Sequence, residues 1–309
     1  MPALPTVAIL MCTYNGGSFL CEQLESFTRQ TYPHWKLLVS DDGSKDKTLD
    51  ILQHFHTRWG QERVRILSGP QQGYVKNFLS LTSRTDIEAD YFAWSDQDDI
   101  WGEEKLQAAM AWLITIPLKK PALYCGRTQL ISECGEPIGY SPHFSRSPHF
   151  NNALVQNIGG GNTMVFNLAA RQLLQMTNTA QTIPSHDWWA YILVTGVGGA
   201  VHYDSTPYLL YRQHGGNLVG SNSSWRARLY RIRMLFHGRF KEWNTQNIHA
   251  LQGIREHLNK DNQATLALFT RFRRQILPLR VINFFRSHLY RQTLLGNLGL
   301  IVATLFKKL

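Results

Sequence analysis

Val7-Ala8-Ile9-Leu10-Met11-Cys12 is an unbroken apolar run, and Thr13-Tyr14-Asn15-Gly16-Gly17 stops it with polar and turn-forming residues. An apolar run without polar alternation describes a strand covered on both faces, as inside a parallel sheet. Outward from it, Ser18 to Gln30 sets Phe19, Leu20, Leu24 and Phe27 at helical spacing, with Ser18 as a candidate cap. Trp35–Val39 predicts a second strand closed by Ser40-Asp41-Asp42-Gly43-Ser44. Asp46–Phe55 predicts a helix with Leu49, Ile51, Leu52 and Phe55 on its apolar side. Val64–Leu67 predicts a third strand, Val75–Leu81 a helix after Gly73, and Tyr91–Trp94 a fourth strand ending in Ser95-Asp96-Gln97-Asp98-Asp99. This alternation predicts a right-handed, mostly parallel α/β sheet, whose ligands bind beyond the carboxyl ends of the strands. Three of the four strands end in polar clusters, so Thr13-Tyr14-Asn15, Asp41-Asp42 and Asp96–Asp99 should converge on one crevice.

Beyond Pro121 the spacing shortens. Ala122–Tyr124, Thr128–Ser132, Thr163–Asn167, Ala200–Tyr203 and Leu209–Arg212 predict short strands, with helices near Leu168–Met176 and His186–Val194. A chain of 309 residues, 43% hydrophobic and 17% charged, has the apolar content for a buried core. That excludes a disordered chain and a disulfide-stapled mini-protein. Cys12, Cys21, Cys125 and Cys134 form two pairs nine apart, which fits neither a zinc knuckle nor a redox motif, so buried reduced thiols are expected. The first residues lack a basic segment ahead of their short apolar run, which points to the cytoplasm.

Asp96, Asp98 and Asp99 put three carboxylates in four positions at a strand end. Unpaired, they raise one another's pKa; a divalent cation relieves that, and hard oxygen donors favour Mg²⁺ or Mn²⁺. A solvated acidic turn has the same composition. Asp41-Asp42-Gly43-Ser44 is either a plain turn or, one βα unit after Tyr14, a site where a carboxylate accepts from a pyrimidine imide and an aromatic face stacks on the base. Asp187, beside Trp188 and Trp189, is placed either as a general base or as a helix N-cap, with Ser185 the alternative cap. His214 follows a strand; Arg212 and the Gly215-Gly216 pair beside it suit a diphosphate environment.

Taken in order, Thr13-Tyr14-Asn15-Gly16, Asp41-Asp42-Gly43-Ser44-x-Asp46-x-Thr48, Ser95-Asp96-Gln97-Asp98-Asp99-Ile100-Trp101, His186-Asp187-Trp188-Trp189 and Tyr211-Arg212-Gln213-His214 closely resemble the family 2 inverting glycosyltransferases, above all their bacterial rhamnosyltransferase-like branch. The resemblance covers roughly residues 5–220. It implies a GT-A fold, a Rossmann-like mixed α/β sheet flanked by helices, in a catalytic domain over 1–222. It implies a nucleotide-diphosphate sugar donor (dTDP-L-rhamnose first, a UDP-hexose as the alternative) and a lipid-linked saccharide acceptor. Donor contacts fall on Thr13, Tyr14, Asn15, Asp41, Asp42, Asn77 and Asp96, with Tyr14 stacking on the base, Asp42 reaching it and Asp96 nearer the ribose. Asp98 and His214 fall at metal-ligand positions, Asp187 at the catalytic base, and Gly160-Gly161-Asn162 on the acceptor side. Gly161 stands where relatives often carry Cys, and Leu168 where a basic residue is common. A non-catalytic nucleotide-sugar-binding module and a nucleotidyltransferase are the competing classes. The latter normally has a basic Gly-rich loop after its first strand, and Asn15-Gly16-Gly17-Ser18-Phe19 has no basic residue.

The net charge of +10 is unevenly spread: residues 1–224 hold 16 Lys and Arg against 19 Asp and Glu, and residues 225–309 hold 16 against 3. The region 223–309 reads as basic and helical, with Arg interleaved among apolar groups in Trp225–Phe236, Arg271–Leu277 and Arg280–Arg291. Leu294–Phe306 falls short of the roughly 20 apolar residues that span a bilayer. Peripheral attachment to an anionic membrane is favoured over nucleic acid, with packing onto the catalytic body as the competing outcome.

Overall fold

In a computed structural model describing residues 4–176, 182–215 and 238–309, β1 (Val7–Thr13) is buried throughout because parallel strands flank its edges and helices cover both its faces. β2 (Trp35–Asp41) pairs with it from Val7–Trp35 to Thr13–Asp41, and β4 (Tyr91–Ser95) from Val7–Tyr91 to Met11–Ser95. β3 (Val64–Ser68) extends the sheet beyond β2. On the other side stand β9 (Val165–Asn167), β6 (Ala122–Gly126) and β10 (Ala200–Asp204), giving the order β10-β6-β9-β4-β1-β2-β3. The sheet is mostly parallel, as expected, and mixed through one strand, β9. The chain enters β9 from a 3₁₀ turn, Gly161–Thr163, at the crevice end, so β9 runs antiparallel to both β4 and β6. A second sheet of β5 (Ile100–Trp101), β11 (Leu209–Arg212), β7 (Gln129–Ile131) and β8 (Pro137–Tyr140) closes over the end of β4.

α1 (Leu20–Thr28), α2 (Thr48–Trp59) and α4 (Lys105–Leu113) cover one face; α3 (Tyr74–Ser83), α5 (Phe150–Ala153), α6 (Leu168–Gln175) and α7 (His186–Gly196) cover the other. α1 starts after Phe19 without the expected Ser18 cap, and Leu49 of α2 faces solvent. Only Cys12 and Cys125 are buried; Cys21 and Cys134 are exposed, correcting the expectation of four buried thiols.

Among the described residues four further helices follow: α8 (Arg239–Gln252), α9 (Lys260–Phe272), α10 (Leu277–Arg286) and α11 (Leu294–Leu305). They are not free of the body. Leu251, Leu266, Phe269 and Phe272 join the core of α7, and Asn262 Nδ2 donates to the Thr195 and Gly196 carbonyls at the end of α7, at 3.0 and 2.9 Å. Packing thus consumes the apolar sides of α8 and α9. Trp225–Phe236 and the boundary expected at 222 lie outside the described residues. Among the described residues, no helix is long and apolar enough to cross a membrane.

Candidate active site

The strand ends do converge. Asp41 ends β2 opposite Thr13, and its carboxylate is used within the turn: Oδ1 accepts from the hydroxyls of Thr13 (2.8 Å) and Ser44 (2.6 Å), Oδ2 from Ser44 N (2.9 Å). Asn15, at φ +48°, accepts from Lys45 N through Oδ1 while its own N–H donates to Ser44 Oγ, so it pins the two loops together. The left-handed backbone suits Asn, whose short polar side chain bonds locally. Asn77 is fully buried, with its amide bonded in both directions to Ser40. In this arrangement the Thr13, Asp41 and Asn77 side chains bond within the crevice walls, and Asn15 fastens the rim.

Tyr14 and Asp42 are placed to meet a ligand. The Tyr14 ring is 57% exposed, while Gln97 clamps its backbone, accepting from Tyr14 N (2.8 Å) and donating to Tyr14 O (3.0 Å). Gln97 is thus a site residue that motif reasoning passed over. It also explains Gly16, where a Cβ would lie 2.3 Å from Gln97 Oε1. Asp42 accepts one backbone amide on each oxygen, Gln71 N at 2.6 Å and Gly73 N at 3.0 Å; each oxygen keeps a further lone pair.

Past β4, the three aspartates have separate environments. Asp98 Oδ2 lies 2.8 Å from His214 Nε2, with both side chains under a fifth exposed (18% and 16%). Asp96 is pushed up to about 8, first by burial, then by the charges of Asp98 and Asp187. Asp99 is fully buried, accepting from Asn162 Nδ2 (2.6 Å) and Arg212 N (3.2 Å), and burial also drives its pKa upward. Arg212 is 1% exposed and turns away from the crevice. It donates to the carbonyls of Asp98 (3.1 Å) and Glu133 (2.7 Å) and pairs with Glu22. It braces the acidic loop from behind, which corrects its expected place beside a diphosphate. Under the same loop, the Lys105 amine sits 3.4 Å over the Trp101 ring with no hydrogen-bond partner among the described residues, and burial lowers its pKa to about 7.

An oxygen and an imidazole nitrogen in contact, beside a carboxyl whose pKa burial and neighbouring charges raise, fit a hard divalent ion. Among the described residues no third His, Cys, Asp or Glu joins them, so a bound ion would complete its shell with diphosphate oxygens and water.

Asp187 stands in the first turn of α7, with Ser185 as N-cap residue. Its carboxylate accepts from Trp188 N (2.6 Å), Gly161 N (3.1 Å) and the Ser185 hydroxyl. Burial pushes it up to about 6 against these hydrogen bonds, the basicity a proton acceptor near neutrality needs. Burial, then the charges of Asp187 and Asp96, push the phenol of the partly exposed Tyr74 up to about 12. Trp188 and Trp189 are buried, and Trp188 Nε1 donates to Ala153 O (2.7 Å), so neither stacks on a sugar. His186 stacks on Phe78 at 4.2 Å, and a Cβ at Gly161 would come within 2.4 Å of its Nε2. That contact explains glycine at position 161.

Residues 8–172 match the profile of the family described as Glycosyl transferase family 2. The chain is 29% identical over 301 residues to the dTDP-rhamnosyl transferase RfbG of Shigella flexneri, covering 89% of this chain and 100% of that one. It is 25% identical over 230 residues to the putative teichuronic acid biosynthesis glycosyltransferase TuaG of Bacillus subtilis, covering 72% and 84%. Among solved structures it resembles the mannosyltransferase PcManGT from Pyrobaculum calidifontis in complex with GDP-Man and Mn²⁺, at TM-score 0.52 and 16% identity over 99% of this chain and 85% of the other.

Proposed function

The chain belongs to glycosyl transferase family 2 and is a glycosyltransferase of GT-A fold; on that premise we propose that it transfers L-rhamnose from dTDP-L-rhamnose, with inversion, to a lipid-linked saccharide in bacterial surface polysaccharide synthesis. The observation that carries the chemistry is the pairing of a protected base, Asp187, with the Asp98–His214 donor set across one crevice. The sugar and the pathway rest on the names of the relatives at 29% and 25% identity.

The acceptor hydroxyl attacks the anomeric carbon, the bond from that carbon to the diphosphate oxygen breaks, and Asp187 takes the hydroxyl proton. General-base assistance of this kind contributes about 10²–10⁴-fold. Asp98 and His214 would hold Mg²⁺ or Mn²⁺, which when bound would supply Lewis-acid neutralisation of charge on the departing diphosphate. Tyr14 and Asp42 receive the base, Asp96 the ribose side, while Thr13, Asn15, Asp41 and Asn77 set their positions. Residues 1–222 carry this machinery and 223–309 the basic helical region, on the cytoplasmic face of an anionic membrane. Isothermal titration of dTDP-L-rhamnose, UDP-glucose and UDP-GlcNAc with Mg²⁺ or Mn²⁺ tests the donor. Tightest binding of the dTDP sugar, lost with EDTA, is expected; preference for a UDP-hexose would replace the donor, and ion-independent binding would remove the metal role.

A further inference from the structure

α10 is amphipathic in the wrong sense for a water-facing helix. Its Arg280 and Asn283 point inward: Arg280 Nη1 donates to Thr304 O (2.9 Å), and Asn283 Nδ2 to Gln275 Oε1 (2.7 Å). Its Leu277, Leu279, Ile282 and Phe285 point outward. α11 continues the surface with Leu294, Leu298 and Leu305 at helical spacing, Leu294 being 87% exposed. Among the described residues, twenty large apolar side chains are exposed, and ten lie within 276–306. An apolar surface this concentrated, on helices clamped together by a buried guanidinium, marks an interaction face.

The charge around it selects the occupant. Residues 271–309 contain eight Lys and Arg and no Asp or Glu. Arg274, Arg286 and Lys307 are exposed. A second copy of the same face would oppose like charges. A cleft of about 720 Å³ opens beside α10 and α11, with Arg146, His149 and His288 set among Phe285, Leu289 and Ile301. The Arg146 guanidinium is held 3.8 Å over the Tyr290 ring. Cations and apolar groups mixed in this way match the headgroup–acyl boundary of an anionic bilayer.

We propose that the outward face of α10 and α11 is an interfacial docking surface, on which Ile282, Phe285, Leu294 and Leu298 enter the acyl boundary while Arg146, Arg286 and Lys307 meet lipid phosphates. The inference deepens the membrane side of the proposed function and rests on it, giving the attachment to two helices that are part of the folded body. Truncation near residue 224 is no test, since it would strip Leu251, Phe269 and Phe272 from the core.

The test is flotation of the full chain with vesicles of phosphatidylcholine alone and of an equimolar mixture with phosphatidylglycerol. The expected result is binding that requires phosphatidylglycerol and weakens in high salt. The lipid concentration for half-binding should rise at least about tenfold in Ile282→Ser/Phe285→Ser/Leu298→Ser and in Arg286→Glu/Lys307→Glu. Sedimentation velocity and rhamnose transfer to a water-soluble acceptor are measured on the same proteins, and unchanged transfer shows that the variants fold. No vesicle binding, equal binding to both vesicles, unchanged binding of both variants, or a wild-type dimer that the apolar variant dissociates would each overturn the proposal. Flotation lost with transfer intact in the wild type removes the docking surface alone; flotation intact with no transfer removes the sugar chemistry alone.

Discussion

Lowering the pH from 7 to 5 should cut kcat/KM for the acceptor about tenfold, because Asp187 must be ionised to take a proton. With its carboxyl pushed up to about 6, the ionised fraction is about 91% at pH 7 and about 9% at pH 5. An aspartate at an ordinary value near 3.9 would lose less than about a tenth over that interval, so the two cases separate cleanly. The sign follows from the cause: burial disfavours the charged form, so activity appears as pH rises through the shifted value. A hydrogen bond from the Asn157 side chain opposes the shift, so Asn157→Ala should move the acid limb to higher pH. Asp187→Asn should remove the limb and cost about 10²–10⁴-fold in turnover while donor binding persists. Initial rates of nucleotide diphosphate release across the pH series measure all three. A limb that stays below pH 5, or near-wild-type turnover in Asp187→Asn, would refute the assignment of the base.

Asp98→Ala and His214→Ala should each raise the ion concentration for half-maximal rate by at least about tenfold, the scale on which even outer-shell partners of a metal act; rate against Mn²⁺ concentration shows it. Gly161→Ala drives a Cβ into His186, which is wedged between Phe78 and Trp94. Overpacking of this kind costs about 1–3 kcal/mol, so calorimetry should find Tm lowered by at least about 2 °C, and the acid limb should shift as the Gly161 amide leaves Asp187. Arg212→Met removes the brace behind Asp98 and leaves two carbonyls unpaired. Melting and donor titration should both weaken, whereas a loss confined to donor affinity would restore Arg212 as a ligand contact.

The parallel half of the fold was legible because β1, β2 and β4 are buried on both faces and read as apolar runs ended by polar clusters. β5, two residues long, and β8, whose Ile138 and Tyr140 face outward, carry no such pattern. α4 was legible in principle, since Leu106, Ala109, Met110 and Leu113 recur at helical spacing, and it went unread. At the site, the resemblance carried by the motifs singled out Asp98, Asp187 and His214, and burial raises the basicity of Asp187. What the sequence hid was the direction in which polar side chains turn. Thr13 meets Asp41 from 28 residues away, Asn77 meets Ser40 from 37, and Arg212 reaches Glu22 from 190. Such pairings exist only after the sheet assembles. The basic C-terminal region was legible only in part for a related reason: composition shows that a helix has an apolar side, and only packing shows which of those sides the body already covers.

The transfer reaction itself tests the account most directly. Proton NMR of the product formed from dTDP-L-rhamnose and a water-soluble saccharide acceptor reads the new linkage and its anomeric configuration. The account predicts a rhamnoside of inverted configuration, formed only with Mg²⁺ or Mn²⁺ and absent with Asp187→Asn. A product of retained configuration, or one that Asp187→Asn still makes at the wild-type rate, would contradict it.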